Sequence, residues 1–90
     1  MNFKKPYSQY IGKAILCDGK HKHFIIRVLD TPAGWIYFET VCISYLQKVK
    51  TQINDRAGFM IDSEEVELVK ISEQEKHLII MAAIAGVRQK

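Results

Sequence analysis

Three clusters of turn-forming residues cut the first seventy residues of this chain into short pieces. They are Asp18-Gly19, Asp30-Thr31-Pro32-Ala33-Gly34 and Asn54-Asp55-Arg56-Ala57-Gly58. Proline fixes φ and glycine permits positive φ, so each cluster reads as a reversal of direction. The pieces between them are too short for stacked long helices and are rich in β-branched and aromatic residues. Residues 10–18 read as a first strand. Residues 23–30 read as a second, with Phe24, Ile26 and Val28 pointing one way and His23, Ile25, Arg27 and Leu29 the other. Residues 35–43 read as a third. Strands joined by short turns form an antiparallel meander.

Residues 44–54 fit two periods. At helical spacing Cys42, Leu46, Val49 and Ile53 share a face; at strand spacing Val41, Ile43, Tyr45, Val49, Thr51 and Ile53 do. The β-branched content favours a strand, because such side chains lose rotamer freedom in a helix. Residues 66–71 read as a last strand. Ser72 and Glu75 then form the sequence signature of a capping box, which predicts a helix over 73–88. Glu73 and Glu75 at its start, with Arg88 and Lys90 at its end, complement the helix dipole.

The expected fold class is α+β, mainly β: a small curved antiparallel sheet, or an SH3-like or Sm-like barrel, with a C-terminal α-helix. The segment Gly58-Phe59-Met60-Ile61-Asp62-Ser63-Glu64-Glu65-Val66 resembles the strand, 3₁₀ turn, strand ending of an SH3-like barrel. It lacks the proline and tyrosine of the peptide-binding SH3 pattern, so the resemblance does not imply proline-rich recognition. With 90 residues there is room for one domain. Residues 1–9 read as an N-terminal arm carrying Phe3 and Tyr7, and residues 10–90 as the domain.

Function is less constrained. Residues 1–50 carry eight basic and three acidic side chains, and residues 51–90 five and seven. A basic front half suits a phosphate backbone. Lys20-His21-Lys22-His23 reads as a basic hairpin tip able to touch phosphate. His21 and His23 could instead hold a metal with Asp18, but the flanking lysines repel a divalent cation, so no metal site is expected. Trp35 and Tyr37 are expected on the outer face if Ile36 and Phe38 point inward. Beside Arg27 they would form a platform for bases or a hot spot for a protein. The composite binding surface is therefore Lys20, His21, Lys22, Arg27, Trp35 and Tyr37. The acidic band Asp62, Glu64, Glu65, Glu67, Glu73 and Glu75 offers a second surface, able to dock a basic partner.

Catalytic motifs do not occur. Gly12-Lys13 and Gly19-Lys20 lack the rest of a phosphate loop, and there is no Cys-x-x-Cys or His-Glu-x-x-His. The expectation is a non-catalytic binding module without a cofactor. Its leading partner is nucleic acid, and the alternative is a small protein-binding inhibitor or adaptor of the kind carried by mobile elements. Lys4 and Lys5 are followed by Pro6 rather than an apolar run, so no secretory leader is read here, and no stretch approaches the roughly 20 apolar residues of a membrane span. A cytoplasmic location is expected, with Cys17 and Cys42 as free thiols and Met1, Met60 and Met81 as gap fillers. The last helix is apolar all round its central turns. Its small half, Ala82, Ala83 and Gly86 around Ile79, is the expected homodimer interface, bringing Glu75 near Lys90 of a second copy. The competing expectation is that the aromatic arm covers this face.

Overall fold

A computed structural model describes residues 3–88. Five antiparallel strands are followed by a C-terminal helix. A 3₁₀ turn, Tyr7–Tyr10, leads into β1 (Ala14–Cys17), β2 (His21–Leu29) and β3 (Trp35–Cys42). A short helix α1 (Ile43–Val49) then precedes β4 (Asn54–Met60), β5 (Val66–Val69) and α2 (Glu73–Arg88). The sheet order is β4-β3-β2-β1-β5. The edge strands β4 and β5 do not pair, so the sheet is not closed into a barrel. Only residues 61–65 connect these two edges, and four strand spacings of about 4.8 Å are nearly the full reach of such a link. The sheet therefore curls, and Phe59 of β4 and Val66 of β5 lie in the same core cluster.

That cluster fills the concave face with Ile15, Ile25, Ile36 and Phe38. The N-terminal arm closes it. Phe3 packs edge-on to Tyr10 at 4.9 Å between ring centroids and lies 5.1 Å from Phe59. The arm thus covers the sheet and not α2. On the opposite face Val41 meets Leu46 of α1 and Ala82 of α2, flanked by Phe24, Ile26 and Ile79.

Residues 43–49 are helical, against the strand expected for 44–54. Ile43 and Leu46, three apart, both turn into the core, and this packing outweighs β-propensity. Lys50 takes a left-handed conformation (φ 62°), and its N–H donates to the Leu46 carbonyl to end the helix. The cluster Asn54 to Gly58, expected as a turn, is strand β4, whose Ala57 and Phe59 alternate inward. The capping box forms as the sequence implies: the Glu75 N–H donates to Ser72 Oγ (3.1 Å) and the Ser72 N–H to Glu75 Oε1 (3.0 Å). Met60 and Met81 are half exposed rather than gap fillers; Met1 and Lys90 lie outside the described residues. No helix among the described residues is long and apolar enough to cross a membrane.

Candidate functional site

The residues singled out in the sequence fall into two places. β2 and β3 pair with His23 opposite Cys42 and Ile25 opposite Thr40, but then Arg27 opposite Glu39 and Leu29 opposite Tyr37. Two residues of β2 thus face one of β3, a bulge that inserts Ile26. His23 and Ile25 point to the concave core, whereas Arg27 emerges on the convex face beside Tyr37. The strict alternation expected for 23–30 fails at that step, and a bulge leaves no mark in hydrophobic periodicity.

At the far end of β2, Lys20 and His21 are exposed at the tip. By strand rise they stand roughly 25 Å from Leu29, so the tip and the aromatic pair do not form one surface. Lys22 is not free for phosphate: its Nζ donates to both carboxylate oxygens of Glu75 at 3.0 Å. Bonding to the Ser72 backbone N–H, and then to Lys22, holds the Glu75 carboxyl below its ordinary pKa. His23 is buried, with Nδ1 2.9 Å from Thr40 Oγ1. Burial pushes its pKa down, with Asp55 opposing, and keeps the ring neutral. The pairing of His21 and His23 on a metal is therefore not built. Burial, followed by Asp18, raises the Cys17 thiol to about 11.

The convex face beyond α2 carries the second group. Ile36 and Phe38 are fully buried, and Trp35 and Tyr37 point outward, 41% and 36% exposed. Their rings lie nearly parallel, 18° apart, with centroids 6.2 Å apart. Across the β3–β4 ladder Trp35 faces Met60 and Tyr37 faces Gly58. A Cβ built on Gly58 would run into the Tyr37 ring, so this glycine provides the floor on which the ring lies. Arg27, its side chain 65% exposed, donates from Nε to Glu39 Oε2 at 2.8 Å, and Asn54 Nδ2 donates to Glu39 Oε1. The result is an apolar ledge of Trp35, Tyr37 and Met60 bordered by a neutralised arginine.

The small half of α2 faces the chain's own sheet. Ala82 is 1% exposed, Ile79 packs in the same cluster, and Ala83 and Gly86 are half-buried. The interface expected at Ile79, Ala82, Ala83 and Gly86 is thus occupied in part from within. The bulky half, Ile80, Met81, Ile84 and Val87, is exposed, Val87 at 73%. The small residues let α2 approach its own sheet closely, and the bulky residues are left on its outer side. The sequence reading passed over Met60 and Gly58, whose roles depend on cross-strand register. No protein family, curated protein or solved structure matches the chain.

Proposed function

We propose that this chain is a non-catalytic protein-binding module that acts as a homodimer in the cytoplasm. Its partner surface is the ledge of Trp35, Tyr37 and Met60 with Arg27 at the border. The observation that carries the proposal is the exposed Trp35–Tyr37 stack seated on Gly58. Tryptophan, tyrosine and arginine are the residues that most often dominate protein interfaces, and a pre-seated stack loses little entropy on binding. The local charge favours protein over nucleic acid, because Arg27, the cation that borders the ledge, is paired with Glu39. A non-catalytic role is supported by the groups that would do chemistry: the Cys17 thiol stays protonated and His23 is bonded to Thr40. Strand order and the short β4–β5 link support an SH3-like curl of the sheet.

Dimerisation is assigned to the exposed face of α2. Ile80, Ile84 and Val87 follow the i, i+4, i+7 spacing of a helix-pairing seam, and among the described residues no element covers them.

The rival reading is single-stranded nucleic acid stacked on the same two rings. Trp35 is the single tryptophan, so its emission reports on the ledge directly. Titration with a mixed-sequence single-stranded oligonucleotide at low salt should leave that emission unchanged. A photo-crosslinker at position 37 in cells should give a discrete protein adduct that Trp35→Ala abolishes. Quenching by the oligonucleotide that fades steeply with salt would overturn the protein reading in favour of nucleic acid.

A further inference from the structure

A cavity of about 430 Å³ opens between the start of β1, the end of β5 and the first turn of α2. Lys13, Lys70 and Lys76 line it together with Gly12. No carboxylate is among its lining residues. Glu73 reaches Lys76 at 3.4 Å, but its own side chain is almost wholly in solvent. Gly12 has φ 88°, and nothing lies within 4 Å of where its Cβ would be; its N–H is bonded to the Ile25 carbonyl, so this residue offers open space to a ligand rather than a donor. A second hollow of about 250 Å³ shares Gly12 and Lys76 and continues over Phe24 and Ile79 towards Ile80. The two form one groove with a cationic end and an apolar end.

We infer that this groove binds a soluble small molecule carrying a phosphate monoester on an apolar body. Lys13 just before β1, Lys70 just after β5 and Lys76 in α2 line one cavity with positive charge, and a doubly charged head gains more from such a lining than a carboxylate does. Lysine serves such a head as a point charge that needs no fixed fork geometry. The apolar extension over Phe24 and Ile79 gives the rest of the ligand a surface to cover, and the volume suits a small molecule rather than a polymer. None of its lining residues belongs to the aromatic ledge, so the site does not depend on what the ledge binds, and its apolar end stops at Ile80, at the edge of the proposed α2 seam.

The test is amide-shift mapping and calorimetry on the full chain with octyl phosphate, kept below its micelle concentration, and with inorganic phosphate. Octyl phosphate should bind roughly tenfold or more tighter than inorganic phosphate, since the apolar body adds burial to the shared head. Its shifts should centre on Gly12, Lys13 and Lys70. The double variant Lys13→Ala/Lys70→Ala changes two exposed positions, and it should lose roughly tenfold or more of that affinity with an unchanged melting temperature. Equal affinity for the two phosphates, shifts centred on Trp35 and Tyr37, or full affinity in the double variant would each overturn the assignment. Sedimentation with phosphatidic acid vesicles separates the sources of the phosphate. The protein should stay in the supernatant; co-sedimentation that the double variant abolishes would overturn the soluble ligand in favour of a lipid headgroup.

Discussion

Lys22 at the start of β2 and Glu75 in the first turn of α2 are joined at 3.0 Å across 53 residues of sequence. The same Glu75 carboxylate caps its own helix through the Ser72 N–H. One side chain therefore both starts α2 and fixes it to the sheet. Glu75→Gln preserves the capping geometry and removes the charge pair, and should cost less than about 1 kcal/mol, the range of partly exposed pairs. Glu75→Ala removes both and should cost about 1 kcal/mol more. Because the folded state lowers the Glu75 pKa, the stabilisation is present above the ordinary carboxylate value of 4.5 and is lost as pH falls through the folded pKa. Thermal melts of wild type and Glu75→Gln should accordingly differ near about pH 7 and converge as the pH falls through the folded pKa, below 4.5.

His23 acts in a different pH window. Its pKa is lowered from 6.5 by burial, so below 6.5 the unfolded chain takes up a proton that the folded chain refuses. Stability contributed by the neutral ring is full above 6.5 and declines as pH falls from there towards the folded pKa. Urea denaturation should show this decline in the wild type, and its loss in His23→Gln. A His23 ring signal that titrates at or above 6.5 by NMR would contradict the buried, Thr40-bonded arrangement.

Phe3 makes the N-terminal arm part of the core. Its ring is buried against Tyr10, Phe38 and Phe59. Phe3→Ala should cost about 3–5 kcal/mol, the range for truncating a buried aromatic. A change below about 1 kcal/mol in chemical denaturation would mean that the arm is not docked in solution.

Element type was legible wherever a local signal coincided with the packing. Ser72 and Glu75 specify the start of α2 by local hydrogen bonds alone, and Trp35 to Thr40 alternates cleanly, until Val41 is buried under α1 and α2 on the other face. The reading failed where tertiary contacts decide. Leu46 is helical because α1 packs on Val41 and on Ala82 of α2, and no periodicity within 44–54 shows that contact. Ile26 is a bulge only by reference to Thr40 and Glu39 on another strand. The candidate site was half legible. Alternation puts Trp35 and Tyr37 on one face but does not say which face is inside, and the ion pairs of Lys22 and Arg27 join residues far apart in sequence. Lys13, Lys70 and Lys76 likewise converge only once β1, β5 and α2 are in place.

Gly58 tests the construction of the ledge. Adding a methyl group there drives a Cβ into the Tyr37 ring. Tyr37 is partly exposed and can swing outward, so Gly58→Ala should change stability by less than about 1 kcal/mol while separating the stacked rings. The fluorescence of Trp35 should shift to longer wavelength as it loses its neighbour, and any partner captured at position 37 should be lost. Unchanged emission would show that the stack does not depend on the glycine.

The two halves of α2 give the sharpest contrast in the molecule. Ala82 is sealed against Val41 and Leu46, so Ala82→Glu places a charge in an apolar contact and should unfold the chain. Ile84, two residues along and so on the opposite side of the helix, faces outward with Ile80 and Val87. In a single copy Ile84→Glu adds a charge to solvent and should leave the intrinsic stability within about 0.5 kcal/mol. In a dimer paired along this seam it places two charges in an apolar interface. Light scattering at about 100 µM should therefore give twice the chain mass for the wild type and the single chain mass for Ile84→Glu, with the dimer dissociating on dilution. A wild type that remains monomeric at that concentration would remove the dimer and leave the exposed stripe of α2 as a surface for a different partner.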